Sequence, residues 1–171
     1  SQRNRFYFYR WEDQPPRPPA EIASHSANMH MIPANDQIEK ILLEEGVPSD
    51  FKYLPLIESG FRDVTSPAGA SGFWQFLSGT GKKYGLEINE DVDERYHIEK
   101  STRAACAYLK EAKAKLGSWT LAAASYNMGI EGINSKLQKQ HVANYYDLFL
   151  TQETSRYVFR MLAMKAIFAN P

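Results

Sequence analysis

Residues 101–129 read STRAACAYLKEAKAKLGSWTLAAASYNMG, and this stretch decides the fold class. Ala105, Tyr108, Leu109, Ala112 and Leu116 recur at the three- and four-residue steps that share one face of a helix, while Lys110, Glu111 and Lys113 fall on the other. Gly117 supplies a C-terminal stop. The following run, SWTLAAASYNMG, predicts a second and more apolar helix that Ser118 could cap and Gly129 could end.

The helical period continues outward on both sides. Toward the N-terminus, Ile38, Ile41, Leu42 and Glu45 keep helical spacing from Asn35, and Gly46 stops that helix before Pro48. A short helix is predicted from about Ser49 to Glu58, with Pro55 interrupting or restarting it. Residues 60–72 read as loop, Phe73–Tyr84 as helix, and 85–98 as mostly irregular. Toward the C-terminus, a helix over about Glu153–Ala169 is apolar on several sides through Tyr157, Val158, Met161, Leu162, Met164 and Phe168, so it is expected to be largely buried. No stretch alternates as a strand would, and no repeat is visible, so the class is all-α.

Residues 1–33 have a different character. The aromatic cluster Phe6, Tyr7, Phe8, Tyr9 and Trp11 precedes QPPRPP, which reads as an arm that packs through its aromatics on a domain formed by residues 34–171, with the proline-rich part extended. With 171 residues, 43% hydrophobic and 13% aromatic, the chain suits one domain with a core large enough to fold alone.

Composition also excludes partners and cofactors. Lys plus Arg and Asp plus Glu number 20 each, and no block is basic enough to follow a phosphate backbone, so nucleic acid is not an expected partner. The lone cysteine, Cys106, lies in an Ala-rich helical pattern, where a small buried apolar role is expected. No run approaches the roughly 20 apolar residues of a membrane span, and Ser1, Gln2 and Arg3 do not open a signal peptide, so the chain reads as soluble. His25, His30, His97 and His141 are scattered without metal-ligand spacing, and NEDVDER (89–95) lacks the glycine and the closing glutamate of a calcium loop. That heptapeptide reads as a solvated turn, and neither a metal nor a cofactor is expected.

One carboxylate stands apart. In LPLIESGF, Glu58 directly follows Leu54, Pro55, Leu56 and Ile57 and leads into a turn, which makes it either a helix-end charge or a catalytic acid. Three further stretches accompany it: GASGFWQF (69–76), AAASYNMG (122–129) and ETSRYV (153–158). In this order they resemble the motifs of the lytic transglycosylases of the lysozyme-like superfamily: a Glu-Ser pair, a Gly-x-x-Gln turn, an Ala-Tyr-Asn-x-Gly helix end and a late fourth motif. YLPLIESGF and GFWQF look most like the branch of membrane-bound lytic transglycosylase D, and the resemblance covers roughly residues 35–168. Tyr96, His97 and Ile98 depart from it, standing where relatives often have an Arg-Asp-Pro-like stretch.

The resemblance implies a small lysozyme-like, mostly helical domain of the goose-type kind with an interhelical groove for the glycan strands of peptidoglycan. Enzymes of this family cleave the β-1,4 bond between N-acetylmuramic acid and N-acetylglucosamine without water, leaving a 1,6-anhydro end. It further implies a monomer in the periplasm or envelope of a Gram-negative bacterium, wall-associated or anchored to the outer membrane through another segment.

The residues suit that chemistry. A hydrolase of the usual kind needs two carboxyl groups flanking the bond, whereas this region offers one, Glu58, with Asp63 in the loop five residues on. A single glutamate can serve first as acid and then as base if the substrate provides the nucleophile, and the flank of Leu56, Ile57, Phe61 and Trp74 would keep it protonated. Ser59 and Gln75 could hydrogen-bond sugar groups, while Gly69 and Gly72 would let the backbone approach the sugar. Tyr126 could position Glu58 through its phenol, Asn127 could hold the Ser59 or Gln75 loop, and Trp74 and Tyr157 could stack on sugar faces or wall the groove. Each has a plainer alternative: Gln75 as a buried amide tying two loops, Asn127 as a cap, Trp74 as core, and Glu153 as a first-turn acid favoured by the helix dipole. On function, a goose-type hydrolase and a glycan-binding module without chemistry remain the alternatives.

Overall fold

A computed structural model of the chain describes residues 26–169, with side chains from 34 to 168. Among the described residues the helices are α1 (Ser26–Glu44), α2 (Leu54–Ser59), α3 (Ser78–Lys83), α4 (Ile98–Leu116), α5 (Trp119–Met128), α6 (Ile130–Gln140) and α7 (Gln152–Ala169), with short 3-10 turns at Ser49–Tyr53, Glu94–Tyr96 and Tyr145–Asp147. Extended pairing is confined to isolated bridges, Thr65 with Ser71, Ser71 with Phe76 and Ile88 with Asp93. The all-α class holds.

Helix α5 is the centre. Leu121, Ala122, Ala123, Ala124 and Ser125 have no exposed surface, and α4, α6 and α7 all pack against the helix they form. Consecutive alanines let neighbouring helices approach on several sides at once, and Ser118 caps the start by accepting from the Leu121 amide at 3.1 Å. Helix α4 buries Ala105, Tyr108, Leu109, Ala112 and Leu116 and ends at the left-handed Gly117, as its spacing predicts. The Tyr108 phenol donates to the Ser125 carbonyl at 2.6 Å, joining α4 to α5. Cys106 is fully buried in α4, and burial pushes its thiol up to about 12, which leaves it an inert packing group. Helix α1 packs on α4 through Ile38, Ile41 and Leu42.

Several elements differ from the sequence reading. Helix α1 starts at Ser26, ahead of the expected Asn35, and passes through Pro33. The aromatic and proline-rich part of the expected arm, residues 1–25, lies outside the described residues. The expected Phe73–Tyr84 helix shortens to Ser78–Lys83, because Gly72 and Gln75 both take positive φ (75° and 49°) and Ser71 and Phe76 exchange backbone hydrogen bonds. Helix α6 occupies a stretch for which no helix was predicted. Helix α7 buries Tyr157, Val158 and Met161, but Leu162 and Phe168 stay exposed at 40% and 43%, so one face, not several, is covered. It packs against α5, the Ser49–Tyr53 turn and α2.

Candidate active site

Helix α2 delivers Glu58 at its last turn. Leu54 and Ile57 turn into the core, Pro55 sits in the first turn where a missing N–H costs nothing, and left-handed Gly60 closes the helix by donating to the Leu56 carbonyl at 3.0 Å. Glu58 itself is half-buried and faces α7, from which the fully buried Tyr157 donates its phenol proton to Oε1 of Glu58. No ion pair involves Glu58 among the described residues. Arg62, the nearest cation in sequence, instead donates from Nε to the Ser59 carbonyl at 3.4 Å.

Removal from water governs the Glu58 proton. Burial pushes its pKa up to about 8, against the Tyr157 hydrogen bond and the charge of Arg160, which favour the carboxylate, and with a smaller push upward from Glu153. The carboxyl therefore holds its proton at neutral pH. Burial first, and then the charge of Glu58, push the phenols of Tyr157 and Tyr126 well above their ordinary range, so both remain donors.

The turn after α2 is braced by side chains. The Ser59 hydroxyl can donate to either the Pro55 carbonyl at 3.0 Å or the Phe73 carbonyl at 3.1 Å. Both amide protons of Gln75 go to carbonyls, of Val64 and of Gly72, each at 2.9 Å, so this side chain holds the left-handed backbone on which it sits. The Tyr126 phenol donates to the Trp74 carbonyl at 2.9 Å. The whole turn hangs on hydrogen bonds to its own backbone oxygens.

These positions revise several expected roles. It is Tyr157, not Tyr126, that holds Glu58, while Tyr126 holds the loop. The donors of Ser59 and Gln75 are used within the protein. Trp74 has no exposed surface and gives its indole N–H to Thr102 at 2.9 Å, so its ring belongs to the core and offers no face to a sugar. Gly72 serves a protein contact: a Cβ there would lie 2.0 Å from the Arg95 carbonyl oxygen, whereas one at Gly69 would meet nothing and only the φ of +82° calls for glycine. Asn127 accepts from Thr154 at 2.7 Å, tying the end of α5 to the start of α7, and its buried Nδ2 has no partner among the described residues.

The sequence reading missed Arg95. The sequence pattern of NEDVDER predicts a solvated turn, yet the Arg95 side chain is 11% exposed, paired with Asp93, and donates to the Gly69 and Phe76 carbonyls at 2.8 and 3.1 Å. The available signal was an acid two residues before an arginine in a segment too short to be a helix. Tyr96 shares a hydrogen bond with Thr65 at 2.6 Å.

The transglycosylase SLT domain family matches residues 37–149, a range that holds Glu58, the braced turn and Tyr126 and stops short of Tyr157. Membrane-bound lytic murein transglycosylase D of Escherichia coli (strain K12) is 31% identical over 152 residues, 85% of this chain and 34% of that protein. The protein of the same name from Escherichia coli O6:H1 matches to the same extent, 31% over 152 residues. A protein of Alteromonas sp. (strain M-1) named for tributyltin chloride resistance is 32% identical over 88 residues, 50% of this chain and 42% of that one. The chain thus spans about a third of the length of the membrane-bound relatives.

Proposed function

Because this chain belongs to the transglycosylase SLT domain family, we propose that it cleaves the glycan strands of peptidoglycan as a lytic transglycosylase, with Glu58 as both general acid and general base. The observation that carries the reading is the Glu58 carboxyl, kept protonated by burial up to about pH 8 and oriented by the Tyr157 phenol. In the first step the Glu58 proton passes to the oxygen between N-acetylmuramic acid and N-acetylglucosamine. The C1–O bond breaks, and the positive charge left at C1 is shared with the N-acetyl carbonyl of the substrate.

The ionised Glu58 then takes the proton of the muramoyl C6 hydroxyl, whose oxygen closes onto C1. This gives the 1,6-anhydro ring, restores the protonated Glu58 and consumes no water. The Tyr157 hydrogen bond strengthens when its acceptor becomes an anion, so it favours the state in which the bond is broken. A hydrolase of the usual kind would need a second carboxylate, and the nearest in sequence, Asp63, is exposed on the loop. The substrate and the membrane-bound relatives support a site in the cell envelope, in the periplasm of a Gram-negative bacterium. Among the described residues no helix is long and apolar enough to cross a membrane.

Mass spectrometry of the fragments released from purified sacculi tests this reading. Ends lighter by one water than hydrolysed muropeptides are expected, with Glu58→Gln releasing nothing. Hydrolysed ends would instead make the protein a goose-type hydrolase, and binding without release would make it a glycan-binding module.

A further inference from the structure

We propose that Arg95, held by Asp93, is a positioning residue for the Gly69–Phe76 loop and through it for Glu58, an assignment that rests on the catalytic reading of Glu58. Nη1 of Arg95 donates to the carbonyls of Gly69 and Phe76, the two ends of this loop, at 2.8 and 3.1 Å. Nε and Nη2 are held by the two oxygens of Asp93, at 2.9 and 2.6 Å, and Asp93 also accepts from the Arg95 amide at 3.1 Å. The guanidinium therefore cannot swing away without breaking a paired contact.

The backbone of the same residue packs closely on the middle of the loop. Its carbonyl oxygen lies where only a glycine at position 72 leaves room, so the Arg95 side chain bonds two points of the loop while its main chain packs against a third. The loop also meets the residue that follows the acid, because Ser59 can donate to the Phe73 carbonyl. A shift of the loop is passed to Ser59 and so to Glu58. Geometry of this kind calls for arginine: a planar fork spans two carbonyls and a carboxylate at once, which a lysine ammonium cannot.

Turnover of soluble glycan-strand oligomers by the full chain tests the clamp, with thermal unfolding measured on every variant. Arg95→Ala is expected to lower kcat by about ten- to a hundredfold with a smaller change in KM, since misplacement by about 1 Å costs orders of magnitude in rate. Arg95→Lys is expected to fall between the two. Loosening the loop also admits water to Glu58, so the alkaline limb of the pH–rate profile moves to lower pH in Arg95→Ala.

Arg103→Ala serves as the comparison, because it breaks ion pairs with Glu44, Glu45 and Glu99 away from the loop and is expected to keep kcat at matched loss of stability. If Arg95→Ala does not stay folded at the assay temperature, Asp93→Asn, which frees the guanidinium without removing it, gives the same readouts. A kcat within about twofold of wild type, or a loss no greater than that of Arg103→Ala at equal stability, overturns the clamp. Glu58→Gln runs in the same series. Retained turnover there overturns the catalytic reading itself, whereas an inactive Glu58→Gln beside a fully active Arg95→Ala overturns the clamp alone.

Discussion

The phenol of Tyr157 donates to Oε1 of Glu58, joining residues 99 apart in the chain and closing α7 onto the end of α2. The bond favours the carboxylate, while burial favours the acid and prevails. Removing the phenol therefore releases burial from its main opponent. Tyr157→Phe is expected to raise the Glu58 pKa further, to move the alkaline limb of the pH–rate profile upward, and to lower kcat by about ten- to a hundredfold through the loss of a hydrogen bond to a charged group. Titration of the Glu58 carboxyl by NMR checks the direction, and a downward shift would reverse the role given to Tyr157.

Tyr126→Phe is expected to behave differently. It strips the Trp74 carbonyl of its donor, at a cost of about 1 to 3 kcal/mol for a buried group left unpaired. Urea unfolding should show that loss, and because Tyr126 holds the loop and not the acid, any movement of the alkaline limb should be to lower pH, as in Arg95→Ala, and not upward as in Tyr157→Phe. An upward movement of the limb as large as that of Tyr157→Phe would show that both tyrosines address the acid.

The proton on Glu58 sets a stability window. Its folded pKa of about 8 lies above the value of an unfolded chain, 4.5, so between these limits the unfolded state ionises while the folded state holds its proton. Folding stability from this group is undiminished below the lower limit, falls as pH rises through the window, and levels off above the upper one. Glu58→Gln is expected to equal the wild type in stability at pH 4 and to exceed it increasingly toward pH 8, by at most about 5 kcal/mol. Denaturant titrations across that range check it. Turnover of the wild type should fall as pH passes 8.

The glycines of the loop separate two causes. Gly69→Ala meets no atom and carries only the strain of positive φ, about 1 to 2 kcal/mol. Gly72→Ala adds a collision with the Arg95 carbonyl oxygen, so it should lose more stability than Gly69→Ala and should also lose turnover. Equal losses in the two variants, measured by urea unfolding, would mean that the approach of Arg95 to Gly72 is not needed.

What the sequence determined by itself is local. The period of Ala105, Tyr108, Leu109, Ala112 and Leu116, the cap at Ser118 and the stops at Gly46 and Gly117 are properties of a few adjacent residues, and α4, α5 and the end of α1 follow from them. Glu58 was legible for the same reason, as one acid in an apolar run at a helix end. Tertiary structure decided the rest. Which tyrosine reaches Glu58, why Gly72 must lack a Cβ, and where the Arg95 guanidinium lies all depend on elements far apart in the chain. A side chain's hydrogen-bond partner is set by how helices and loops pack, and sequence spacing carries no record of that. The proton on Glu58 belongs to this second group, because it is the packing of α7 over the end of α2 that removes the carboxyl from water.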